Sequence, residues 1–187
     1  MIAYVFCHWK RADVPAGDYE TRQKAFHAAL EASPPPGFLR SFSVVLFGAP
    51  WAAGGAESYE DWYLVDSFAS LAAVNEGAVT GPRSGPHEAA AAGADGGAGG
   101  VYLLRQGTAV SAPRYAQWFA KPPGMTYAAL FLQVGPLADT AGGTLWMRQM
   151  TLGPAREFCV HTAEPLALPS SFDVLRLPLR PVWPTSR

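Results

Sequence analysis

The segments that favour β-strands are apolar at consecutive positions, and this feature most constrains the fold. Tyr4–Cys7, Val44–Phe47 and Val101–Leu104 each run without a polar residue. A sheet with helices on one face and water on the other alternates apolar and polar residues. Because these strands do not alternate, both faces of their sheet must be covered. Helices can cover one face, and a second sheet can cover the other.

The first hundred residues predict the element order β-α-β-β-α-β, the split βαβ arrangement. The predicted first helix, about Asp18–Ala32 with Asp18 as N-cap, places Tyr19 and Phe26 on one face. His27 shares the other face with Lys24, so we expect it to be solvated. The other predicted elements are strands Ile2–Lys10, Phe38–Phe47 and Tyr59–Val65, a short helix capped by Asp66 or Ser67, a helical stretch opened by Pro86, a turn over Gly96–Gly100, and a strand over Val101–Gln106.

The second half repeats this pattern in a degraded form. Tyr4–Lys10 aligns with Tyr115–Lys121, and Phe38–Arg40 aligns with Trp146–Arg148, in the same order along the chain. Pro165 shortens the second helix of this half. We therefore predict an α+β protein built from two ferredoxin-like βαββαβ repeats, residues 1–107 and 112–187. Their sheets would pack against each other as an internal, pseudo-dimeric α+β barrel.

The chain resembles the dimeric α+β barrel superfamily in its tandem, single-chain form, and within it the EthD-like proteins. The resemblance rests on the strand Tyr4–Lys10, on the stretch from Trp62–Phe68 to His87–Ala89, and on the glycine-rich entry into Val101–Leu104. The superfamily includes oxygenases, isomerases, haem-degrading enzymes and proteins without known activity. The resemblance therefore implies a fold and leaves the activity open.

Composition argues against several kinds of partner. The net charge is −1, and the basic residues are scattered, so we expect no nucleic-acid partner. The first apolar run, Ile2–Phe6, is too short for a signal peptide or a membrane span, which predicts a cytoplasmic protein without a membrane partner. The four histidines lack the spacing of a metal-ligand pair, and Cys7 and Cys159 read as buried thiols. We predict no metal and no cofactor.

Two polar residues within apolar strands are the candidate catalytic groups. His8 shares a strand face with Phe6 and could act as a general acid or base; the alternative is a core histidine satisfied by a neighbour. Arg40 also lies within an apolar strand and could anchor an anionic ligand. The alternatives for Arg40 are an internal salt bridge, for instance with Asp61 or Asp66, and a strand end at which the side chain reaches water.

Three further residues are candidate ligand contacts. Trp62 lies on the predicted strand Tyr59–Val65, and we expect a ligand to bind near it, His8 and Arg40. His87 begins the second helical region, where the superfamily often has the mouth of its site. It also stands beside Glu88 at a helix start, and a surface position is the favoured alternative. Trp51 lies in a loop and would either cap the barrel or contact a ligand.

These features predict a protein that takes a small apolar or aromatic molecule into a barrel cavity, in the half formed by the first repeat. Any chemistry would be that of a cofactor-independent oxygenase or isomerase. The alternative is a non-catalytic binding or accessory protein of the same fold, so the sequence leaves open whether the chain is an enzyme. A tandem chain can close its barrel internally, which allows a monomer or a homodimer.

Overall fold

The structure, a computed structural model, describes residues 1–52, 57–108, 113–151 and 153–184. These residues form eight strands and four α-helices. The strands are β1 Ile2–Lys10, β2 Phe38–Phe47, β3 Glu57–Val65, β4 Ala94–Gly107, β5 Tyr115–Phe119, β6 Thr144–Gln149, β7 Phe158–Thr162 and β8 Leu175–Trp183. The helices are α1 Ala16–Ala32, α2 Phe68–Ala78, α3 Ser84–Ala91 and α4 Tyr127–Thr140. The predicted start of the second repeat at residue 112 lies outside the described residues, as does part of the segment between the predicted strands Phe38–Phe47 and Tyr59–Val65.

The strands close into one antiparallel barrel in the order β1-β3-β2-β8-β5-β7-β6-β4. The first half of the chain supplies β4-β1-β3-β2, and the second half supplies β8-β5-β7-β6 in the corresponding order. The halves join where β2 pairs with β8 and where β4 pairs with β6. Closure leaves no unpaired sheet edge. The prediction of a barrel with both strand faces covered is confirmed.

The interior of the barrel is packed with aromatic rings. Trp62 lies at its centre, with ring centroids 5.2 Å from Trp146, 6.4 Å from Trp118 and 5.6 Å from Phe42. All four side chains are buried. The ligand cavity that we expected inside the barrel is therefore filled by these rings, because the inward positions of the strands carry large side chains.

The helices lie outside the barrel. Helix α1 packs against α3 and contacts β2 and β8, while α4 contacts β4, β6 and β7. Successive strand residues point to opposite faces, so Glu60 and Trp62 belong to the barrel interior whereas Asp61 and Tyr63 face the helices. The layer between α1 and the outer sheet surface contains the site described below.

The glycine-rich run is part of a strand, and the prediction of a turn over Gly96–Gly100 is wrong. These residues lie inside β4 and pair with β1. A Cβ atom on Gly97 would come within 2.4 Å of Cζ of Phe6, and one on Gly99 within 2.7 Å of the hydroxyl of Tyr4. Glycine is required here because the aromatic rings of β1 lie over the backbone of β4.

Candidate functional site

A buried carboxylate between two imidazoles is the central feature of the layer under α1. Oδ2 of Asp61 lies 3.1 Å from Nε2 of His8, and Oδ1 lies 3.3 Å from Nε2 of His27. Asp61 is 2% exposed, His8 1% and His27 0%. The distances are those of ion pairs, although the N–H directions depart from hydrogen-bond geometry. Strand β1 brings His8 to Asp61 from within the sheet, and α1 brings His27 from above.

The far nitrogens of both imidazoles also have partners. Nδ1 of His8 lies 2.6 Å from the hydroxyl of Tyr19, and Nδ1 of His27 lies 2.7 Å from Oγ of Ser41. The ring of His8 stacks on Phe6 at 5.1 Å, and the ring of His27 stacks on Tyr63 at 5.4 Å. Hydrogen bonds and ring stacking thus hold both imidazoles in fixed orientations toward Asp61.

The electrostatics of the cluster favour an ionised carboxylate. Burial by itself raises the pKa of Asp61, but the charges of His8 and His27 more than reverse this and hold the pKa well below its usual value. A buried carboxylate is stable only with such compensation, because desolvation of an unpaired charge is costly. Asp61 therefore acts as the shared anion of the two histidines.

Tyr63 connects this cluster to a cavity. Its hydroxyl donates a hydrogen bond of 3.0 Å to Oδ2 of Asp61. Burial, and then the negative charge of Asp61, raise the pKa of Tyr63 well above its usual value, so the side chain remains a phenol. The same side chain lines the cavity, which makes it the point of contact between a bound molecule and Asp61.

The cavity has a volume of about 420 Å³ and lies between the outer face of the sheet and helices α1 to α3. Aromatic side chains form much of its wall, and His87 and Asn75 supply polar groups. The lining residues are Tyr4, Phe6, Phe26, Tyr63, Val65, Leu71, Val74, Asn75, Ala78, Val79, His87 and Val101. Cavities of this size, mainly apolar with a few polar groups, are typical of small-molecule sites.

The structure distributes the predicted site residues over different places. His87 lines the cavity. Phe6 also lines it, and His8 stacks on the ring of Phe6 without lining the cavity itself. Arg40 lines a separate cleft of about 230 Å³ beside the end of α1. Trp62 lies inside the barrel, and Trp51 packs against its core with the ring 5.4 Å from that of Trp118. Of these five residues, His87 alone contacts the cavity directly.

The prediction that His27 is solvated is wrong. Helix α1 buries a stripe that is broader than its apolar face, because the helix is covered by the sheet and also by the end of β8. His27 stacks on Trp183 of β8 at 6.4 Å as well as on Tyr63. The buried positions of α1 are Tyr19, Gln23, Phe26, His27 and Leu30. These positions are spaced as one helix face, so the polar residues Gln23 and His27 on that face indicate buried polar contacts.

Sequence reasoning also missed Asp61 and Tyr63 as site residues. Asp61 appeared only as a partner for Arg40, yet the cost of burying a carboxylate in an apolar strand is itself a signal. Glu60, the neighbouring residue, is a second buried carboxyl group and points into the barrel. Oε2 of Glu60 accepts a 2.9 Å hydrogen bond from Nε1 of Trp62, and burial raises its pKa to about 8.

Within the described residues, no group of three or more histidine, cysteine, aspartate or glutamate side chains is arranged to hold a metal ion. The same described residues contain no helix that is long and apolar enough to cross a membrane. Both cysteines are buried, and burial raises the pKa of each thiol, that of Cys7 to about 12.

Comparison with known proteins gives likenesses of structure. No family model matches the chain. No curated protein sequence matches it either. A “putative monooxygenase” from Fusobacterium nucleatum superposes with a TM-score of 0.65 at 9% identity, covering 97% of this chain and 92% of that one. An anthrone oxidase-like protein superposes with a TM-score of 0.51 at 8% identity, covering 87% of this chain and 73% of that one. The chain therefore has the fold of the dimeric α+β barrel proteins.

Proposed function

We propose that the chain binds a flat aromatic molecule in the cavity under helices α1 to α3 and acts on it as a cofactor-independent oxygenase. One observation carries the proposal: the cavity is walled by aromatic rings and touches Tyr63, whose hydroxyl reaches the buried Asp61. A planar ligand would stack on these rings, and its acidic proton would meet Tyr63, which is hydrogen-bonded to a buried carboxylate.

The chemistry needs a base and a site shielded from water. An electron-rich aromatic molecule that loses a proton can pass electrons to dioxygen directly, and anthrone plus O₂ yields anthraquinone plus water. Tyr63 can accept the ligand's proton while its own proton moves to Asp61. The structural likeness to a monooxygenase-like and an anthrone oxidase-like protein supports this class of reaction.

His87 is the second polar group that we assign to ligand binding. It lines the cavity from α3 and packs edge-on against Phe26 at 5.2 Å. An imidazole at this position can hydrogen-bond a carbonyl or hydroxyl group of the ligand. Together, Tyr63 and His87 would orient a planar ligand that has polar groups on two of its edges.

The test of binding is a fluorescence titration with 7-hydroxycoumarin, together with oxygen uptake in the presence of anthrone. Leu71→Trp places an indole in the cavity wall and is expected to weaken coumarin binding at least tenfold. Leu132→Trp is the matched control, because Leu132 is 78% exposed on α4 and lies outside the cavity. Binding without oxygen uptake would favour the alternative, a non-catalytic binding protein. Equal affinity in both variants would contradict the site.

We also infer that the barrel is a fused pair of ferredoxin-like repeats of the EthD-like kind, 1–107 and 112–187, located in the cytoplasm. The support is that each half of the chain supplies four strands in the corresponding spatial order. The contact between Arg180 of β8 and Glu20 of α1, at 2.7 Å, also links the two halves.

A fused pair closes its barrel within one chain, so a monomer is expected in dilute solution. Each strand edge of the described barrel is paired internally, which removes the usual reason for dimerisation. Static light scattering should give the mass of one chain at micromolar concentration. A dimer that persists on dilution and unfolds when it dissociates would contradict this expectation.

A further inference from the structure

A row of contacting side chains joins the candidate cavity to a second cleft. Tyr63 lines the cavity, and Ser41 lines the cleft of about 230 Å³ beside the end of α1. The described residues that line the two spaces do not overlap. Between them the distances are 3.0 Å from Tyr63 to Asp61, 3.3 Å from Asp61 to His27, and 2.7 Å from His27 to Ser41.

We propose that this row carries protons between the cavity and the second cleft, with the residues in the order Tyr63, Asp61, His27 and Ser41. The purpose of the row rests on the proposed function, since a ligand that is deprotonated in the cavity must release its proton. One proton leaves the ligand, and one enters water in the cleft. Each member of the row takes one proton and gives one, so the row itself is unchanged in charge.

The atoms used by each member suit such a transfer. Asp61 meets Tyr63 with Oδ2 and His27 with Oδ1, so one oxygen can take a proton while the other gives one. His27 meets Ser41 with Nδ1 and faces Oδ1 of Asp61 with Nε2, a 3.3 Å contact that must align into a hydrogen bond for the transfer. An imidazole with its proton on Nδ1 can accept at Nε2 while donating from Nδ1. The change of tautomer is reversed when a proton returns to the cavity, as reduction of dioxygen to water requires.

The surroundings restrict the transfer to this row. Asp61, His27 and Tyr63 are at most 8% exposed, so water has little access to the contacts between them. Ser41, also 8% exposed, is the member that borders the cleft. His8 is a branch: its Nδ1 meets Tyr19, which is completely buried, so this branch does not lead to the cleft. We assign His8 as a positioning residue that orients Asp61.

The first experiment needs no ligand. In protein labelled with ¹⁵N-histidine, exchange spectroscopy measures how fast the Nδ1 proton of His27 exchanges with water, with His27→Asn identifying the signal. Ser41→Ala should slow this exchange at least tenfold, and Ser41→Thr, which keeps the hydroxyl, should restore it. Exchange that is unchanged or faster in Ser41→Ala would overturn the proposal, because a purely structural hydroxyl would shield the imidazole.

Ser43→Ala is the matched control. Ser43 is a buried serine of the same strand and pairs directly with Asp61 in the sheet. Its hydroxyl has no hydrogen bond among the described residues, and it is not part of the row. Exchange at His27 should be the same in Ser43→Ala as in the unmodified chain. An equal slowing in both variants would show that general loosening of β2, rather than a broken row, is the cause, and would also overturn the proposal.

The second experiment uses 7-hydroxycoumarin, whose phenol and phenolate forms differ in fluorescence. In stopped flow, ionisation of the bound probe should be at least tenfold slower in Ser41→Ala than in Ser43→Ala. Equal ionisation rates would mean that protons leave through the cavity mouth, which overturns the row. A probe that does not bind at all would contradict the proposed function instead. The exchange rate at His27 would still test whether the row carries protons.

Discussion

Replacing Asp61 with asparagine is expected to lower the free energy of unfolding by about 3 kcal/mol or more at neutral pH. The substitution keeps the shape of the side chain and removes the anion shared by His8 and His27, both of which are buried within 3.3 Å of it. The two buried imidazoles then face a neutral amide in place of the carboxylate. Guanidinium denaturation, analysed for midpoint and slope, measures the loss.

The pH dependence of this effect has a defined sign. The pKa of Asp61 is lowered in the folded state, so its contribution to stability is present above the pKa of an unfolded aspartate and is lost as the pH falls through the folded value. The difference between the two proteins should therefore shrink in acid. Asp66→Asn is the control: Asp66 is exposed and bonds Ser70 at the surface, so little change is expected. A loss below about 1 kcal/mol for Asp61→Asn would contradict a buried ion pair.

Replacing Glu60 with glutamine should have the opposite effect and stabilise the protein at alkaline pH. Burial raises the pKa of Glu60 from 4.5 to about 8. At about 1.4 kcal/mol per pKa unit, this interval corresponds to a penalty of about 5 kcal/mol once the pH exceeds the folded value. Glutamine does not ionise, so the Glu60→Gln protein does not lose this stability as the pH rises. Denaturation at about pH 5 and about pH 8 compares the two proteins.

The sign again follows from the number of protons bound. Between pH 4.5 and about 8 the unfolded chain has lost the proton of Glu60 while the folded chain keeps it, so stability falls as the pH rises. This fall in stability with rising pH should be absent in Glu60→Gln. Glu20→Gln serves as the control, because the hydrogen bond from Arg180 lowers the pKa of Glu20 and places its titration below this range. A wild-type stability that is constant from pH 5 to pH 8 would show that Glu60 is ionised in the barrel.

These two neighbouring carboxyl groups differ because strand β3 has two unlike faces. Asp61 faces α1 and meets two imidazoles, whereas Glu60 faces the barrel interior and meets the indole of Trp62. Burial raises the pKa of both groups, and partner charges reverse the effect at Asp61. The environment of a carboxyl group, rather than its residue type, thus decides its protonation state.

Much of the architecture was readable from the sequence because it depends on local patterns. Strands β1 to β3 lie where their apolar runs predict them, and α1 ends at Ala32 as predicted, although it begins at Ala16 and Asp18 lies in its first turn rather than at its N-cap. His8 was recognisable as a candidate because a mid-strand histidine among apolar residues needs a partner. The identity of that partner was not readable, because it depends on how β1 and β3 align.

The position of the cavity was likewise beyond local patterns. Strand periodicity shows that both faces of the sheet are covered, but it does not show which covered space is filled. The inward side chains Trp62, Trp118 and Trp146 fill the barrel, whereas the cavity lies on the outer side, between the sheet and helices α1 to α3. This outcome depends on summed side-chain volumes across several strands, which no single segment contains.

The sequence by itself determined the elements, their order, and the need to cover both faces of the sheet, since these depend on the alternation of neighbouring side chains. The tertiary structure alone decided that Asp61 meets His8 and His27, that Tyr63 opens this cluster to a cavity, and that Arg40 borders a separate cleft. Those contacts join residues far apart in the chain, and they depend on strand register and on how α1 lies across the sheet. Register and helix position are set by the packing of the whole barrel.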